Sequence, residues 1–332
     1  MKAVELVAPE ELRIVERETP APGPSEIRIS VSRVGICGTD MEFYRGRRSA
    51  GYPFVLGHEC AGRIDAIGEG LSEYTLGTPV TVRPNFGCGD CSYCHEGRDN
   101  ICPEGRGLGV RIDGCLAEFI LAPARYVWPI PEGMNAQSAA MIEPCAVAER
   151  AVRRAGTIAG RRLLIVGAGT IGLLALQIAV IGGAEVTVAD PLADRRRWAA
   201  DLGAARSFDP MAGELDGETF DLVIETAGVP GAAQKAIEHA KPGGWVVLTG
   251  IPMDATSFET KRIVWRELKL VGSFIYDAGD FARACQRIAN GELRADDLVT
   301  ESYPLDRVDE AFRAVAEHRG LKTMIRIREE AW

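Results

Sequence analysis

A glycine pattern in the middle of the chain restricts what this sequence can fold into. Residues 167–172 are Gly-Ala-Gly-Thr-Ile-Gly; an apolar run at 162–166 precedes them, and an apolar helical pattern at 170–181 follows. A glycine-rich turn between a buried strand and a helix is typical of sites where the pyrophosphate of a dinucleotide binds at a helix N-terminus. We therefore predict an α/β fold here, with a doubly wound parallel sheet.

Each glycine of this pattern has a physical role. We expect Gly167 to allow the tight turn, Gly169 to let the backbone approach the pyrophosphate, and Gly172 to let the helix pack closely on the strand. Strand and helix patterns alternate as far as a strand at 268–272, which is typical of a parallel sheet covered by helices. We predict these further cofactor-binding residues: Thr170, Ile171, Thr226, Gly250 and Ser273.

The identity of the nucleotide depends on an acidic residue at the end of the next strand. Asp190 lies 18 residues after Gly172, where a carboxylate accepts hydrogen bonds from the ribose hydroxyls and repels a 2′-phosphate. NAD is therefore predicted in preference to NADP. Arg195 and Arg196 follow closely, and because an arginine can accommodate a 2′-phosphate, NADP stays an alternative. A flavin site or a glycine turn without a ligand would also fit the pattern.

The composition is that of an ordinary globular protein. Of 332 residues, 46% are hydrophobic and 26% are charged, and the formal net charge is −9, with 38 Lys and Arg against 47 Asp and Glu. Disordered and fibrous classes are therefore excluded, and the negative charge argues against nucleic acid as a partner. An uncharged stretch at 163–184 contains five glycines, so we predict a buried strand, turn and helix there rather than a membrane span.

The distribution of patterns along the chain predicts two domains, one of them discontinuous. Short β-like runs separated by Gly- and Pro-rich turns dominate the first part, and alternating strands and helices follow. We predict a β-rich domain at 1–142 with a small lobe at 86–103, and a cofactor domain at 143–277. The chain is then predicted to return to the first domain at 278–332.

Four of the nine cysteines form one closely spaced group, Cys88-x₂-Cys91-x₂-Cys94-x₇-Cys102. The start of the sequence lacks the pattern of an export signal, so we expect a cytoplasmic location and no disulfides. Four thiolates can surround one tetrahedral Zn²⁺ and fill its coordination. We therefore predict a structural zinc that stabilises a loop with little apolar core. Disulfides, a redox pair and a zinc ribbon for nucleic acid are the alternatives.

A second set of metal-binding residue types is spread along the sequence. Cys37 lies in Gly-Ile-Cys-Gly-Thr-Asp, His58 and Glu59 lie in Gly-His-Glu, and Glu143 precedes a proline. Taken singly, each of these is more often a core or solvated residue than a metal ligand. Only their combination with the two motifs above is specific.

In combination, these motifs resemble the medium-chain dehydrogenase/reductase family, in its zinc-containing branch. The resemblance covers essentially the whole chain, with GICGTD at 35–40, GHE at 57–59, the four-cysteine lobe and GAGTIG at 167–172 in that order. It implies a GroES-like, β-rich catalytic domain and a doubly wound (Rossmann) cofactor domain. It also implies two Zn²⁺ ions per chain, one catalytic and one structural.

The resemblance implies a catalytic zinc held by Cys37 and His58, with Glu59 and Glu143 close by. Simple alcohol dehydrogenases of the family have a cysteine where this chain has Glu143, whereas the polyol branch, which includes sorbitol dehydrogenase, has an acidic residue followed by proline. In those relatives the carboxylates bind zinc directly or through water, and the sequence does not decide between Glu59 and Glu143. Because Pro144 suits the first turn of a helix, we expect Glu143 at a helix entrance.

The same resemblance assigns roles to residues that follow Cys37. Thr39 is implied as the first proton acceptor, and Asp40 as the carboxylate that orients His58. Many relatives then have a histidine where this chain has Glu42. That glutamate either passes the proton on or lies at the surface with no part in the reaction.

Together the motifs predict an oxidoreductase that transfers a hydride from a secondary alcohol to NAD. A carboxylate-rich zinc site favours a small polyhydroxylated substrate such as a polyol, sugar or cyclitol, whereas Arg45 or Arg47 would suit a sugar acid. The alternatives are a threonine-type or simple-alcohol dehydrogenase of the same family and, from another class, a non-enzymatic zinc- and nucleotide-binding regulator. We also expect a homodimer or homotetramer joined near 268–276, with no membrane partner.

Overall fold

The computed structural model describes residues 1–212 and 217–328, and the chain divides into two compact units. The first unit comprises Met1–Glu143 and the chain from Ala284 on, and the second is Pro144–Arg283. The sequence-based divisions, after residues 142 and 277, lie one and six residues earlier. Both observed divisions fall inside helices, and a helical pattern does not mark such a point.

The first unit consists of short strands joined by tight turns, with short helices between them. Before the first division its elements are β1 (Lys2–Ala8), β2 (Glu11–Glu16), β3 (Glu26–Gly35), α1 (Gly38–Tyr44), β4 (Phe54–Val55), β5 (Glu59–Ile67), β6 (Pro79–Val82), β7 (Asn85–Phe86), α2 (Ser92–His95), β8 (Arg106–Gly107), β9 (Phe119–Pro123), β10 (Val127–Pro129), α3 (Ala136–Ala140) and α4 (Ile142–Arg154), which crosses the division.

The second unit alternates strands with helices, as its sequence pattern predicts. Its elements are β11 (Arg162–Val166), α5 (Thr170–Ile181), β12 (Glu185–Ala189), α6 (Ala193–Asp201), β13 (Arg206–Phe208), β14 (Phe220–Glu225), α7 (Ala232–Glu238), β15 (Ala240–Leu248), α8 (Thr260–Trp265), β16 (Lys269–Gly272) and α9 (Ala278–Ala289), which crosses the second division. The chain then adds β17 (Val299–Pro304), α10 (Val308–Ala316) and β18 (Lys322–Arg326) to the first unit.

The main sheet of the first unit places β3 at its centre. The strand order is β10-β6-β5-β3-β18-β17, and β9 also pairs with β3. Ile27, Ile29 and Val31 alternate along β3 and are fully buried, because every second side chain of a strand faces the core. The pairing of β3 with β5 on one side and with β18 on the other brings the end of the chain beside the segments that contain Cys37 and His58.

The sheet of the second unit is parallel throughout, with the order β13-β12-β11-β14-β15-β16. The predicted doubly wound sheet is therefore confirmed. The order reverses between β11 and β14, and ligands of such sheets bind outside the carboxyl ends of the strands at this point. Residues 241–244 include a Pro-Gly-Gly sequence that is typical of a turn, but they belong to β15, whose pairing with β14 is irregular there.

Candidate functional site

The first candidate site is a cluster of three donor side chains in the first unit. One ligand atom each from Cys37, His58 and Glu59 lies within 4.8 Å of the other two. Cys37 follows β3 and precedes α1, whereas Glu59 is the first residue of β5 and His58 immediately precedes it. The register between these strands places Gly35 opposite Glu59, so sheet pairing brings together residues that are about twenty positions apart in the sequence.

Asp40 connects the two chain segments that carry these donors. Its Oδ2 accepts a hydrogen bond from Cys37 N at 2.8 Å, and its Oδ1 accepts one from Gly57 N at 3.0 Å. The first contact also caps the N-terminus of α1. Because Asp40 is fully buried, these two bonds fix the backbone on both sides of the cluster.

His58 and Asp40 face each other inside this buried region. Nδ1 of His58 lies 3.5 Å from Oδ1 of Asp40, which is longer than a normal hydrogen bond. Burial raises the pKa of the Asp40 carboxyl, but the charge of His58 and the backbone donors outweigh it, and the pKa lies below its ordinary value. The carboxylate therefore stays ionised beside the imidazole.

Glu143 lies near the cluster but does not join it. It is the second residue of α4 and is buried, and within residues 1–212 and 217–328 the group of mutually close donors around Cys37 does not include it. The helix begins at Ile142, so Glu143 lies inside the first turn rather than at the entrance that Pro144 suggested. Of the two carboxylates between which the sequence did not decide, Glu59 is the one that belongs to the group of mutually close donors.

Lys322 is a residue of this site that the sequence analysis missed. Its Nζ forms an ion pair with Oε2 of Glu59, and both side chains are almost fully buried, with exposed fractions of 4% and 2%. Burial lowers the pKa of this ammonium, but the charges of Glu59, Cys37 and Glu143 outweigh it and raise the pKa. The only sequence signal was a lysine at the start of the last strand described, Lys322–Arg326, because charged residues are rarely buried without a partner.

Two further predicted residues lie on α1. Thr39 is half-buried two residues after Cys37. The side chain of Glu42 is 20% exposed, and its Oε1 lies 3.7 Å from Nη1 of Arg47. Its Oε2 is buried and accepts no hydrogen bond from the described part of the chain. The structure therefore does not place Glu42 freely on the surface.

The four cysteines of the second candidate site converge in one loop. Their sulfur atoms all lie within 4.8 Å of one another, and two pairs, Cys88 with Cys94 and Cys91 with Cys102, are 3.9 and 3.8 Å apart. These separations exclude disulfides, whose sulfurs are about 2.05 Å apart. They equal the edge of about 3.8 Å expected for a tetrahedron with metal–sulfur bonds of about 2.3 Å.

The electrostatics of this loop differ between its thiols. Hydrogen bonds from the backbone of Asp90 and Cys91 lower the pKa of the Cys88 thiol to about 6, so it is a thiolate at neutral pH. Burial and the neighbouring cysteines raise the pKa of the Cys94 thiol to about 12. The loop is fastened to the unit by Arg83, which donates to both carboxylate oxygens of Asp99 at 2.9 Å. Four donors with this geometry fit a closed tetrahedral zinc site.

The glycine turn of the second unit has the geometry that its sequence predicts. Gly167 has a φ of +101°, which favours glycine. A Cβ on Gly172 would lie 1.9 Å from the carbonyl oxygen of Gly167, so helix α5 packs directly on the turn. Gly169 precedes the first residue of α5, and Thr170 and Ile171 form its half-buried first turn. The N–H groups of this helix end can receive a pyrophosphate.

Asp190 holds the glycine turn through its side chain. Its Oδ2 accepts a hydrogen bond from Ala168 N at 2.8 Å, and its Oδ1 accepts one from Leu192 N at 2.9 Å. Arg195 is half-buried nearby. The pKa of its guanidinium lies below the ordinary value, because the effect of burial exceeds the opposing effect of the Asp190 charge. Arg196 donates to the backbone oxygen of Asp190. The carboxylate therefore lies beside the turn, with arginines on the helix that follows it.

The remaining predicted cofactor residues lie at the carboxyl ends of neighbouring strands. Thr226 follows β14 and donates its hydroxyl to the Gly167 oxygen at 3.0 Å. Gly250 follows β15, and Ser273 follows β16 with a buried hydroxyl that has no hydrogen-bond partner among the described residues. Glu225, which the sequence analysis missed, is buried and accepts a hydrogen bond from Gly228 N at 2.7 Å. This edge of the sheet therefore has an unpaired buried hydroxyl for a ligand.

No helix within the described ranges is long and apolar enough to cross a membrane, which agrees with the interpretation of 163–184 as strand, turn and helix.

Comparison with protein families gives two matches. Residues 23–132 match the alcohol dehydrogenase GroES-like domain, and residues 170–290 match the zinc-binding dehydrogenase domain. Together they cover more than half of the chain, and they confirm the predicted pairing of a GroES-like domain with a nucleotide-binding sheet.

Individual proteins resemble the chain over nearly its whole length. A 2-dehydro-3-deoxy-L-galactonate 5-dehydrogenase of Pseudoalteromonas atlantica is 33% identical, over 99% of this chain and 100% of that protein. A sorbitol dehydrogenase of Bacillus subtilis is 31% identical, over 98% and 97% of the two chains. A zinc-binding dehydrogenase of Sinorhizobium meliloti, solved bound to NADP, superimposes with a TM-score of 0.92 at 32% identity, covering 98% and 99%. The chain therefore belongs to the zinc-binding family of medium-chain alcohol dehydrogenases.

Proposed function

We propose that this protein oxidises a secondary hydroxyl group of a small polyhydroxylated molecule to a ketone, with NAD as the hydride acceptor. The observation that carries the proposal is the cluster of Cys37, His58 and Glu59. It offers a thiolate, an imidazole and a carboxylate, which are ligands that zinc accepts, and it leaves a coordination position for substrate. The four-cysteine loop, in contrast, fills all four positions.

A zinc ion at this cluster would supply Lewis acidity, which lowers the pKa of a bound alcohol and favours loss of its hydride. The surrounding residues prepare the site for that chemistry. Asp40 holds the backbone of both ligand segments and keeps a negative charge beside His58. Thr39 and Glu42 lie on the same helix as Asp40, and we assign them the transfer of the hydroxyl proton towards solvent.

The second unit is proposed to bind the nucleotide. The helix end at Gly169 receives the pyrophosphate, and Asp190 favours NAD because its charge repels a 2′-phosphate. Ser273 and Thr249 have buried hydroxyls without a partner in the described chain, and both lie at the strand ends where the nucleotide binds. Because one relative was solved bound to NADP, activity assays should compare NADP with NAD.

Among polyhydroxylated substrates we favour sugar acids. The loop between α1 and β4 contains Arg45, Arg47 and Arg48. Arg47 is more than half exposed, and its contact with Glu42 is 3.7 Å long. The guanidinium of Arg48 makes no hydrogen bond or ion pair with any described residue. This loop joins the Cys37 segment to the His58 segment, so a substrate carboxylate would meet positive charge there.

A substrate panel tests the proposal. Galactonate and galactitol differ in one carboxylate, and each is offered with NAD and with NADP, beside threonine and simple secondary alcohols. We expect NADH formation with the polyhydroxylated compounds and a higher kcat/KM for the acid than for the polyol. Turnover restricted to threonine or simple alcohols would favour those family alternatives, and no turnover at all would favour a non-enzymatic regulator.

The homo-oligomeric state and the cytoplasmic location stay predictions from the sequence. β16 is an outer strand of its sheet, and the neighbouring Val264 and Trp265 are exposed large apolar residues. An unpaired strand edge beside exposed apolar side chains supports our proposal that two copies join there. Light scattering of the purified protein tests it, and a monomer would contradict it.

A further inference from the structure

We propose that Glu225 is a positioning residue for the nucleotide. Its buried carboxylate holds the loop after β14 against the loop after β15, and these two loops form the half of the nucleotide site that lies away from Asp190. The inference rests on the proposed nucleotide site of the second unit. It assigns a task to a buried acidic residue that neither the glycine motif nor the proposed reaction uses.

The position of Glu225 in the sheet relates it to one half of the site. It is the last residue of β14, at the carboxyl edge of the parallel sheet. The strand order consists of two halves, β13-β12-β11 and β14-β15-β16, and a dinucleotide binds across the crevice between such halves, one mononucleotide part to each. Asp190 follows β12 in the first half and suits the adenosine ribose. Glu225 therefore belongs to the half that receives the nicotinamide part.

The carboxylate of Glu225 lies between two loops. The residue is only 2% exposed, and its Oε1 accepts a hydrogen bond from Gly228 N at 2.7 Å. Its Oε2 would lie 2.7 Å from a Cβ on Gly250, so this oxygen faces the second loop. Burial raises the pKa of the carboxyl, although hydrogen bonds from the backbone of Gly228, Ala227 and Gly250 oppose that effect. Backbone donors of both loops therefore share one buried carboxylate.

The two loops touch each other at a pair of glycines. A Cβ on Gly250 would lie 2.2 Å from Gly228 N and 2.5 Å from its Cα, so a side chain there would push the loops apart. Gly228 has a φ of +61°, which favours glycine. Because backbone meets backbone here, the N–H group of Gly228 needs an acceptor, and the side chain of Glu225 provides it.

Groups that a ligand can contact lie next to the two glycines. Val229 and Ile251 directly follow them and are 54% and 53% exposed. Thr249 directly precedes Gly250 and has a buried hydroxyl without a hydrogen-bond partner among the described residues. Ligand sites combine apolar side chains with a few placed polar groups, so the position of the two loops determines where the nicotinamide part is held.

The glycine turn, in contrast, is held without the side chain of Glu225. The hydroxyl of Thr226 donates to the Gly167 oxygen at 3.0 Å, and Oδ2 of Asp190 accepts a hydrogen bond from Ala168 N at 2.8 Å. Removal of the Glu225 carboxylate is therefore expected to loosen the nicotinamide half of the site and to leave the adenosine half in place.

The variant Glu225→Ala removes the shared acceptor. Calorimetric titration measures the Kd of NADH and, separately, the Kd of ADP, which reaches only the adenosine half. We expect the variant to bind NADH about tenfold more weakly than the wild type, because a buried N–H group loses its partner, and to bind ADP within about twofold of the wild type. If Glu225 only stabilised the unit as a whole, the two affinities would fall together or not at all.

Two further variants sharpen the comparison. Glu225→Gln keeps one acceptor oxygen for Gly228 N and is expected to recover most of the NADH affinity. Glu185→Ala, which removes an exposed carboxylate from the start of β12 at the opposite edge of the sheet, is the matched control and should change neither affinity.

Gly250→Ala keeps the test decisive if Glu225→Ala folds poorly. Its methyl group would separate the two loops while the carboxylate remains. We expect the same pattern, a loss of NADH affinity with ADP affinity retained. An NADH affinity equal to that of the wild type would show that the contact between the loops does not matter, and would overturn the inference.

The outcomes separate this inference from the proposed function. A wild-type protein that binds neither NADH nor ADP would overturn the proposed nucleotide site itself. A wild type that binds both but NADH no more tightly than ADP, or a Glu225→Ala variant whose two affinities change together or not at all, would overturn only the role of Glu225. A loss confined to NADH and largely restored in Glu225→Gln supports it.

Discussion

The two metal-binding groups of the first unit are assembled in different ways. The four cysteines come from one loop of fifteen residues, and their sulfurs lie at the spacing of a filled tetrahedron. The cluster of Cys37, His58 and Glu59 comes from separate segments that strand pairing and a buried carboxylate bring together. A closed site can thus be encoded by local spacing, whereas an open site needs a rigid surround that holds three donors and keeps the fourth position free.

The strongest contrast between the groups is expected from removing one donor of the open site. In Cys37→Ser, steady-state hydride transfer should fall by about 10³-fold or more, which corresponds to at least about 4 kcal/mol of transition-state stabilisation. Binding of NADH, followed by its fluorescence, should be unchanged because the nucleotide site is built from other strands. Cys94→Ser is the matched control in the closed group; it should lower the thermal midpoint instead. Equal losses of turnover in the two variants would remove the distinction between them.

Acidification should distinguish the groups by the number of protons that compete with the metal. Metal ligands must be deprotonated, so zinc affinity falls as pH falls. The closed group binds metal through four thiols. The open group offers one thiol and the imidazole of His58, whose pKa is raised because the charges of Asp40 and Cys37 outweigh the effect of burial. Zinc affinity of the loop should therefore fall more steeply with falling pH than that of the open group, since more of its ligands are thiols.

Equilibrium zinc retention against a competing chelator between pH 8 and pH 6.5 measures the slope of zinc affinity against pH for each group. The slope for the open group is obtained from the difference in retained zinc between the wild type and Cys37→Ser. Equal slopes would contradict a four-thiolate closed site beside a single-thiolate open one.

The variant Asp40→Ala tests whether zinc binding at the open group depends on the residues that hold its ligand segments. Asp40→Ala removes the acceptor of the Cys37 and Gly57 backbone donors, so the two ligand segments lose their common anchor. We expect the zinc affinity of the open group to fall by about 10- to 100-fold, with the four-cysteine zinc unaffected. Competition with a chelator measures both sites in one titration. Retention of normal affinity at the open group would show that strand pairing alone is sufficient.

Asp99 is the corresponding test for the closed group, and its effect should be the smallest. Asp99→Asn weakens the paired hydrogen bonds from the buried Arg83. We expect a loss of about 2 kcal/mol in unfolding free energy, with turnover and the open-site zinc unchanged. Denaturant unfolding of the zinc-loaded protein measures the loss. A drop in turnover larger than the drop in stability would mean that the loop contributes to the reaction.

The same contrast explains what the sequence could and could not predict. The cysteine spacing and the glycine turn are local patterns whose geometry follows from a few bonds, and both were predicted residue by residue. Lys322 was missed because its partner Glu59 lies more than 250 residues away, and they come together only because β3 pairs with β5 on one side and with β18 on the other. Glu143 was expected at the entrance of a helix, but the helix already begins at Ile142. Proline is compatible with more than one position of a first helical turn, so Pro144 did not define the first residue.

In the second unit, the sequence predicted the class of sheet but not every boundary. The apolar run at 162–166 coincides with β11, and the strand expected at 268–272 is β16. The Pro-Gly-Gly segment at 242–244 suggested a turn, yet it continues β15, because an irregular pairing with β14 tolerates residues that a regular strand would exclude. The short β13 and α8 carry too few residues for a periodic pattern, so tertiary contacts rather than periodicity define them.

Zinc stoichiometry of the purified wild type and of Cys37→Ser is the decisive measurement for an open metal site. We expect about two zinc ions per chain in the wild type and about one in the variant, with the remaining ion bound by the four cysteines. Two ions retained in Cys37→Ser, or a single ion in the wild type that is fully active, would contradict an open catalytic zinc at Cys37 and His58.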